Sequence, residues 1–448
     1  MKTYLDWSSY DTYGIGDAYS GVPINGGSYA KAVAVCMHNR QCQREGRGVM
    51  CPSYRATGDV KHSTETRVAA FKAALNGDYG KAAFTAPELA EAMDLCLSCK
   101  GCKKECPSAV DMTLIKTEYL AQKNDQAGVP LRSKLFGALP AWVGHHRALV
   151  RAVVRLRNGS GLLSWLSEKW LGLSARRPIP PPAARSWVAP EKSMPGERGP
   201  VMLFVDTFAQ HFEPEIAAAA AEVLTRAGYE VRYAKPAAND PENGRALCCG
   251  RTYLATGMVD KARAEAVRVL EALRPALEAN IPIIGLEPSC LLALRDEFYS
   301  LGLGADANQL GKLAFLLEEF LMREANKGRP IALKPVAAEK VLVHGHCHQK
   351  AFGTMKAMRK VLGMIPGLEF EVIESSCCGM AGSFGLEEEH YDISVKMAEL
   401  SLLPAVRAAD PATPIVANGF SCRHQIFDGS GRKPMHLALL LRDALVTV

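Results

Sequence analysis

Four cysteines between positions 96 and 106 constrain this chain more than any other feature. They lie in the stretch Cys96-Leu-Ser-Cys99-Lys-Gly-Cys102-Lys-Lys-Glu-Cys106-Pro107, which has the C-x₂-C-x₂-C-x₃-C-P spacing of bacterial [4Fe–4S] ligation. Three thiolates at such short spacing cover one face of a cubane, and the fourth, beside a stiff proline, is directed to a second cluster. Zinc knuckles use two C-x₂-C pairs that lie far apart. The spacing therefore predicts an iron–sulfur site.

A second, irregular group of cysteines lies upstream. Cys36 and Cys42 have the offsets of the first and third cysteines of the motif, Asn39 occupies the middle place, and Cys51-Pro52 supplies the fourth cysteine after an insertion. These spacings predict two clusters with crossed ligands. Cluster II takes Cys96, Cys99, Cys102 and Cys51, and cluster I takes Cys36, Cys42 and Cys106.

Cluster I then has one iron without a thiolate. That iron carries Asn39, His38 or water, or it is absent and the cluster is [3Fe–4S]. The alternative is that Asn39 only turns the loop, which is a common role of asparagine. The sequence leaves these possibilities open.

Composition places the chain among ordinary soluble proteins. Its 448 residues suffice for two to four domains of about 100–200 residues. Met1–Tyr19 lacks the pattern of a secretory signal, and no apolar run approaches the roughly 18 residues that span a bilayer. The fourteen cysteines are therefore interpreted as metal ligands in a reducing cytoplasm.

Positive charge is concentrated between residues 131 and 177, which contain nine Lys/Arg and a single acidic residue, Glu168. Trp142, Trp165 and Trp170 lie in the same segment. A basic amphipathic segment with tryptophans suits an anionic membrane surface, here the inner face of the cell membrane, or contact with a quinone. It equally suits a partner subunit, or a helical hairpin on the chain's own core. Nucleic acid is not expected as a partner.

The chain divides into five segments. We expect an extended arm at 1–35, a helical ferredoxin-type [4Fe–4S] domain at 36–130, basic amphipathic helices and a Pro-rich linker at 131–198, and two repeats at 199–330 and 331–448. Within the second segment, Glu65–Leu75 and Ala86–Leu95 have helical patterns.

The two repeats follow one order of elements. Each has an apolar strand, a helix, a second strand, a Cys-Cys-Gly, another helix, and a third strand ending in a cysteine. The first strands are Val201–Thr207 and Val341–Cys347, and the third strands are Ile283–Cys290 and Ile415–Cys422. Alternating strands and helices predict parallel βαβ units. The fold class is thus an α-helical double-cluster module followed by two pseudo-symmetric α/β repeats, with the cysteine turns facing inward at the carboxyl ends of the strands.

Several long stretches resemble a known family. From Cys36 to the end, the chain is similar to the iron–sulfur portion of FAD-linked D-2-hydroxyacid dehydrogenases of the D-lactate or D-2-hydroxyglutarate kind. It also resembles the glycolate oxidase and anaerobic glycerol-3-phosphate dehydrogenase iron–sulfur subunits and the CCG domains of heterodisulfide reductase. The matching stretches are Gly48–Tyr54, Glu287–Cys290, His344–Lys350, Cys377–Gly385 and Asn418–Arg423.

The repeats depart from the full cysteine pattern at Thr207, Glu287 and Gly419. Repeat two retains four cysteines, enough for a third cluster, whereas repeat one retains three and is the weaker candidate. The candidates are Cys347, Cys377, Cys378 and Cys422, then Cys248, Cys249 and Cys290. Five thiolates are expected for the unusual heterodisulfide reductase cluster, so disulfide cleavage is not favoured here.

Three histidines alternate beside Cys347. His344, His346 and His348 are expected to share one face of a strand end. With Cys347 and His424 they either ligate metal or carry protons at a flavin interface, or they simply pack.

The resemblance implies an electron-transfer subunit. The family joins this module to a flavin domain, for which this chain offers no candidate, because Gly14-Ile-Gly16 and Gly379–Gly385 lack the dinucleotide pattern. A separate FAD-containing dehydrogenase subunit would oxidise D-lactate, D-2-hydroxyglutarate or glycolate, and this chain would pass electrons to a quinone or another carrier. The alternatives are heterodisulfide-reductase-like catalysis at the CCG site, or an iron or redox sensor using the incomplete cluster.

Overall fold

The amino-terminal part of the protein is a helical module. A computed structural model describes residues 1–13, 21–44, 46, 48–191, 193–242 and 245–446. Its first helices are α1 (Gly27–Ala34), α2 (Pro52–Thr57), α3 (Thr64–Asn76), α4 (Pro87–Asp94), α5 (Gly101–Glu105) and α6 (Met112–Ala127). The Ser63 and Asp111 side chains cap α3 and α6 by accepting backbone N–H groups, as such residues commonly do. The helices expected from the patterns near 65–75 and 86–95 are confirmed as α3 and α4.

The expectation of an extended arm at 1–35 is wrong in part. Helix α1 lies within it, and Leu5, Trp7 and Tyr29 are buried. The Glu118 carboxylate of α6 accepts the backbone N–H of Leu5 at 2.9 Å and the indole N–H of Trp7 at 3.2 Å. Burial of aromatic surface, rather than helical periodicity, orders this segment. The stretch Gly14-Ile-Gly16 lies outside the described residues.

Three further helices connect the module to the rest of the chain: α7 (Leu131–Gly137), α8 (Leu139–Gly159) and α9 (Gly161–Leu171). Several of their arginines bind other parts of the chain. Arg147 and Arg151 donate to backbone carbonyl groups at 182–184, and Arg157 is buried. Within the described ranges, no helix is both long and apolar enough to cross a membrane.

Two parallel sheets form the carboxyl-terminal half. The first has the order β2-β1-β3-β4 and the second the order β6-β5-β7, with every pairing parallel. The strands are β1 (Pro200–Phe204), β2 (Glu230–Tyr233), β3 (Ile283–Gly285), β4 (Ala314–Leu316), β5 (Lys340–His344), β6 (Glu369–Val372) and β7 (Ile415–Ala417). The parallel α/β architecture is confirmed. A pseudo-symmetric relation between the two halves stays a prediction.

Helices cover both sheets, and one apolar core joins them. Leu203 and Ile284 of the first sheet belong to the same buried cluster as Val341 and Val343 of the second. The helices are α10 (Thr207–His211), α11 (Pro214–Arg226), α12 (Arg251–Ala255), α13 (Val259–Glu278), α14 (Pro288–Leu294), α15 (Gly304–Leu313), α16 (Leu317–Asn326), α17 (Cys347–Ala351), α18 (Met355–Leu362), α19 (Tyr391–Glu399), α20 (Leu402–Ala408), α21 (Phe420–Ser430) and α22 (Leu437–Asp443).

The strands that were expected to end in cysteines stop earlier. β3 ends at Gly285 and β7 at Ala417, so Cys290 lies in α14 and Cys422 in α21. Likewise β5 ends at His344, and Cys347 opens α17. Capping explains the change, because the Glu287 side chain accepts the Ser289 backbone N–H and starts α14. The cysteines therefore belong to the first turns of helices that follow the strands.

Candidate metal centres

Four cysteines surround one small buried cavity in the helical module. Cys51, Cys96, Cys99 and Cys102 all line a space of about 20 Å³, and each is at most 8% exposed. This is the set that the sequence predicted for cluster II. Its ligation of a cluster stays a prediction, but four converging buried thiols provide the donors that a [4Fe–4S] cluster requires.

Contacts to α5 explain how Cys51 reaches the downstream cysteines. The Glu105 carboxylate accepts the backbone N–H groups of Val49 at 2.6 Å and Met50 at 2.8 Å. Gly101 packs directly on this loop, where an added Cβ would lie 2.8 Å from the Cα of Met50. The loop before Cys51 is thus fixed against the helix that carries Cys102.

A buried cation accompanies these thiols. Arg67 is 2% exposed, donates to Ala92 O at 2.9 Å and to Ser53 Oγ at 2.8 Å, and places Nη1 3.6 Å from Cys51 Sγ. Burial opposes the charge of Arg67, but the facing cysteines Cys96, Cys51 and Cys102 raise its pKa. A buried guanidinium beside four thiols fits an anionic metal–thiolate centre, because buried charges in proteins are paired.

Arg67→Gln is expected to make the reduction potential of cluster II more negative, because the reduced state carries the greater negative charge. A unit charge at roughly 6 Å and an effective dielectric constant near 20 contributes about 3 kcal/mol, or on the order of 0.1 V for one electron. A redox titration followed by electron paramagnetic resonance (EPR) measures the shift. Arg274→Gln, which alters a surface pair with Glu271, is the control; an equal shift there would refute the assignment.

The remaining cysteines of the module form a second group. Burial is the main cause that raises the pKa of Cys36, and Cys106 adds to it. Burial likewise raises the pKa of Cys42, with contributions from Cys51 and Cys36. Cys42 belongs to the buried cluster that also contains Cys51, Cys96 and Cys102, and Cys36 and Cys106 pack against that cluster. Their ligation of one iron–sulfur cluster stays a prediction. Asn39 and His38 are both exposed.

The cysteines of the second sheet also converge. Cys347, Cys377, Cys378 and Cys422 are all buried and interact in pairs: Cys377 with Cys347 and Cys378, and Cys378 with Cys422. One ring nitrogen of His344 and the Sγ atoms of Cys378 and Cys422 lie within 4.8 Å of one another. Four thiols and an imidazole thus provide a donor set for metal.

The first sheet brings together a smaller set. Cys249 interacts with both Cys248 and Cys290, and all three are buried. Asp206 is buried nearby, and burial followed by the Glu287 charge raises its pKa to about 6. Three thiols fall short of the four that a cubane normally takes.

The other predicted residues are placed differently. The expectation that the three histidines share one face of a strand is wrong, because His344 ends β5 while His346 caps α17 and His348 lies within it. The ring of His348 contacts Ser98 O at 3.3 Å. Glu287 accepts the backbone N–H of Phe420 at 2.8 Å. This hydrogen bond joins a helix that follows the first sheet to one that follows the second.

A cavity of about 780 Å³ lies among three of these cysteine groups. Cysteines from the helical module and from both sheets line it, together with His346, His348 and His424. Val150 and Val154 of α8 form part of its wall. The lining cysteines are Cys96, Cys248, Cys249, Cys290, Cys347, Cys377 and Cys378.

Buried ion pairs join the module to the first sheet, and the sequence patterns did not reveal them. Lys100, next to Cys99, contacts the Asp296 carboxylate and lies 2.8 Å from Glu297. Burial acts to raise the pKa of Asp296, but Lys100 and Lys103 together lower it to about 2. Because the partners are nearly 200 residues apart, only the fold brings them together.

A buried histidine joins the module to the second sheet. His390 lies 3.0 Å from Asp94 and 2.8 Å from Glu387. Burial disfavours its charge, but these two carboxylates outweigh burial and raise its pKa to about 9.

We expect the stability of the anaerobic protein to fall as pH rises toward 9. Because the folded pKa of His390 exceeds the unfolded value of about 6.5, its contribution is full below pH 6.5 and is lost as pH rises through 9. Urea midpoints at both ends of this window measure the effect. His390→Gln should show a smaller change across it; an unchanged pH dependence in the variant would contradict the prediction.

Two segments of the chain match the models of known protein domains. Residues 32–110 match the model of a 4Fe-4S dicluster domain, and residues 341–427 match that of a cysteine-rich domain designated CCG. The chain thus combines an iron–sulfur dicluster domain with a cysteine-rich domain, and it contains iron–sulfur clusters.

Several curated proteins of Escherichia coli strain K12 are similar to this chain. One of the subunits of anaerobic glycerol-3-phosphate dehydrogenase is 33% identical over 44% of this chain and 49% of its own length. D-2-hydroxyglutarate dehydrogenase is 24% identical over 79% of this chain and 34% of its own. The glycolate oxidase iron-sulfur subunit is 26% identical over 92% of this chain and 93% of its own.

These relatives are homologues of the chain, which confirms the resemblance seen in the sequence. The match spans about half the length of the glycerol-3-phosphate dehydrogenase subunit and about a third of D-2-hydroxyglutarate dehydrogenase.

Proposed function

We propose that this chain is an electron-transfer subunit that accepts electrons from a separate FAD-dependent 2-hydroxyacid dehydrogenase and passes them to a quinone or another carrier. The observation that carries the proposal is the packing of Cys99. Cys99 lines the cluster II cavity and also belongs to the buried cluster that contains Cys347, Cys377 and Cys378. Bound iron–sulfur clusters supply one-electron transfers at such sites.

The contacts around Cys99 favour three sites in series. Cys42 interacts with Cys51, which links the first and second cysteine groups. Burial is the largest cause that raises the pKa of Cys99, and Cys347 is the next largest. Ser376 Oγ, beside Cys377, donates to Val49 O at 2.9 Å. We therefore propose two clusters in the module and a third at the second sheet, in the order I, II, III.

Affinity purification of the full chain from its native host under anaerobic conditions tests the role. We expect a flavoprotein to co-purify, and a 2-hydroxyacid to bleach the visible absorbance of the clusters in that preparation. If the purified chain has iron but never carries a flavoprotein, and instead reduces a disulfide with a simple donor, heterodisulfide-reductase-like catalysis becomes the better account.

We also propose that helices α8 and α9 rest on an anionic membrane surface. Leu149, Val153 and Leu156 recur at helical spacing on α8, and Trp142 lies before the kink at His146. All four side chains are exposed. An adjacent side of α8 carries Val150 and Val154, which line the large cavity. An apolar stripe with nearby Lys and Arg is typical of interfacial helices, and this one would bring the cavity close to a membrane quinone.

The double variant Leu149→Asp/Leu156→Asp should bind vesicles of phosphatidylcholine and phosphatidylglycerol at least about tenfold more weakly than the wild type. Each buried leucine contributes roughly 1.5–3 kcal/mol to the free energy of binding. Vesicle sedimentation measures the change. Val267→Asp on α13, which alters another exposed apolar side chain, should bind like the wild type. Equal binding by all three proteins would rule out this surface.

A further inference from the structure

Two loops of the helical module have the same backbone conformation. His38 and Arg40 have φ values of 53° and 56° on either side of Asn39, and Ser98 and Lys100 have values of 51° and 62° on either side of Cys99. Only eight non-glycine residues in the described part of the chain have positive φ. Because this conformation is uncommon and costly for such residues, its recurrence at equal offsets from Cys36 and Cys96 identifies one type of loop used twice.

Asn39 therefore stands where the second loop has a cysteine. Cys99 is 7% exposed and lines the cluster II cavity, whereas Asn39 is exposed and its Oδ1 accepts the backbone N–H of Gln41 at 3.1 Å. That hydrogen bond forms an Asx turn within the loop. The amide oxygen of Asn39 thus already accepts a hydrogen bond from its own loop.

His38 is also engaged elsewhere. Its Nδ1 lies 3.1 Å from the Glu65 carboxylate, which in turn accepts from Gln43 at 2.8 Å. The chain's other thiols are committed as well, since four line the cluster II cavity and seven lie at the ends of the two sheets. Cys36, Cys42 and Cys106 are left as the three thiols for cluster I.

We infer that cluster I has one iron that receives no ligand from the chain and faces solvent at Asn39, where water or a small exogenous ligand binds it. This iron is exchangeable, unlike the irons that each have a cysteine thiolate as ligand. The inference concerns the chemistry of one site and does not depend on the proposed flavoprotein partner.

Mild oxidation of the anaerobic protein tests the inference. One equivalent of ferricyanide takes one electron as one Fe²⁺ leaves, so that a [4Fe–4S]²⁺ core gives a [3Fe–4S]¹⁺ core. We expect the loss of about one iron per chain and the EPR signal of an oxidised three-iron cluster. Fe²⁺ with dithionite, which returns the electron, should reverse both.

Asn39→Cys supplies the missing thiol and should abolish both the iron loss and the signal. Met37→Cys adds a thiol to the same exposed loop at the wrong offset and should behave like the wild type, as should His38→Ala. Retention of all iron by the wild type, or identical loss from Asn39→Cys, would overturn the inference. Absence of iron from every protein would instead refute the proposed function.

Discussion

Cys51→Ala should remove the same EPR signal as Cys96→Ala, and Cys106→Ala the same signal as Cys36→Ala. Each of the first pair should lose iron from cluster II, up to about four atoms per chain, because that cluster is then left with three thiolates. We expect the shared signal because Cys51 lines the same cavity as Cys96, Cys99 and Cys102. The Glu105 carboxylate fixes the loop before Cys51 by accepting two of its backbone N–H groups.

Cys249→Ala is the matched control for these variants, since Cys249 is equally buried but belongs to the first sheet. It should retain both signals of the module. If Cys51→Ala instead shares its lost signal with Cys36→Ala, the ligands are not crossed and each cluster takes cysteines from one stretch of sequence.

Cys378→Ser should lower the iron content of the third site, by up to about four atoms per chain, while both signals of the module remain. Cys378 has the central position in its group, because it interacts with Cys377, Cys422 and His344. Iron analysis and EPR measure the loss. Electron transfer from cluster II to an external acceptor should fall with it, because the third site lies next to Cys99.

Cys249→Ser is the matched control, because Cys249 has the same position in the Cys-Cys-Gly of the first sheet as Cys378 has in that of the second. Its three thiols form a smaller donor set than the four thiols and the imidazole of the second sheet, so we expect the iron content of Cys249→Ser to equal that of the wild type. Equal iron in Cys378→Ser and the wild type would show that the second-sheet thiols hold no cluster and are merely buried.

The sequence predicted the parts of this molecule that short-range patterns encode. The spacing of Cys96, Cys99 and Cys102 identified the iron–sulfur site, and the alternation of strands and helices predicted parallel sheets. Pro52 after Cys51 and Gly379 after Cys378 also helped to identify these cysteines as candidate metal ligands. Such signals depend on neighbouring residues, which is why they can be found without the fold.

Long-range contacts could not be predicted in the same way. Arg67 looks like an ordinary helical residue until α3 places it among the thiols, and Lys100 gives no sign of its pairing with Asp296. The three histidines were misplaced because the strand was expected to continue through Cys347, whereas His346 caps a helix there. The arm was misjudged because aromatic burial, which has no period, orders it.

Measurement of iron, acid-labile sulfide and zinc in the anaerobically purified chain decides whether its thiols hold iron–sulfur clusters. We expect at least about eight irons per chain with a similar amount of sulfide, from four per cubane, and more when the second-sheet site is filled. Zinc without iron would contradict it, because these thiols would then hold a structural metal that carries no electrons.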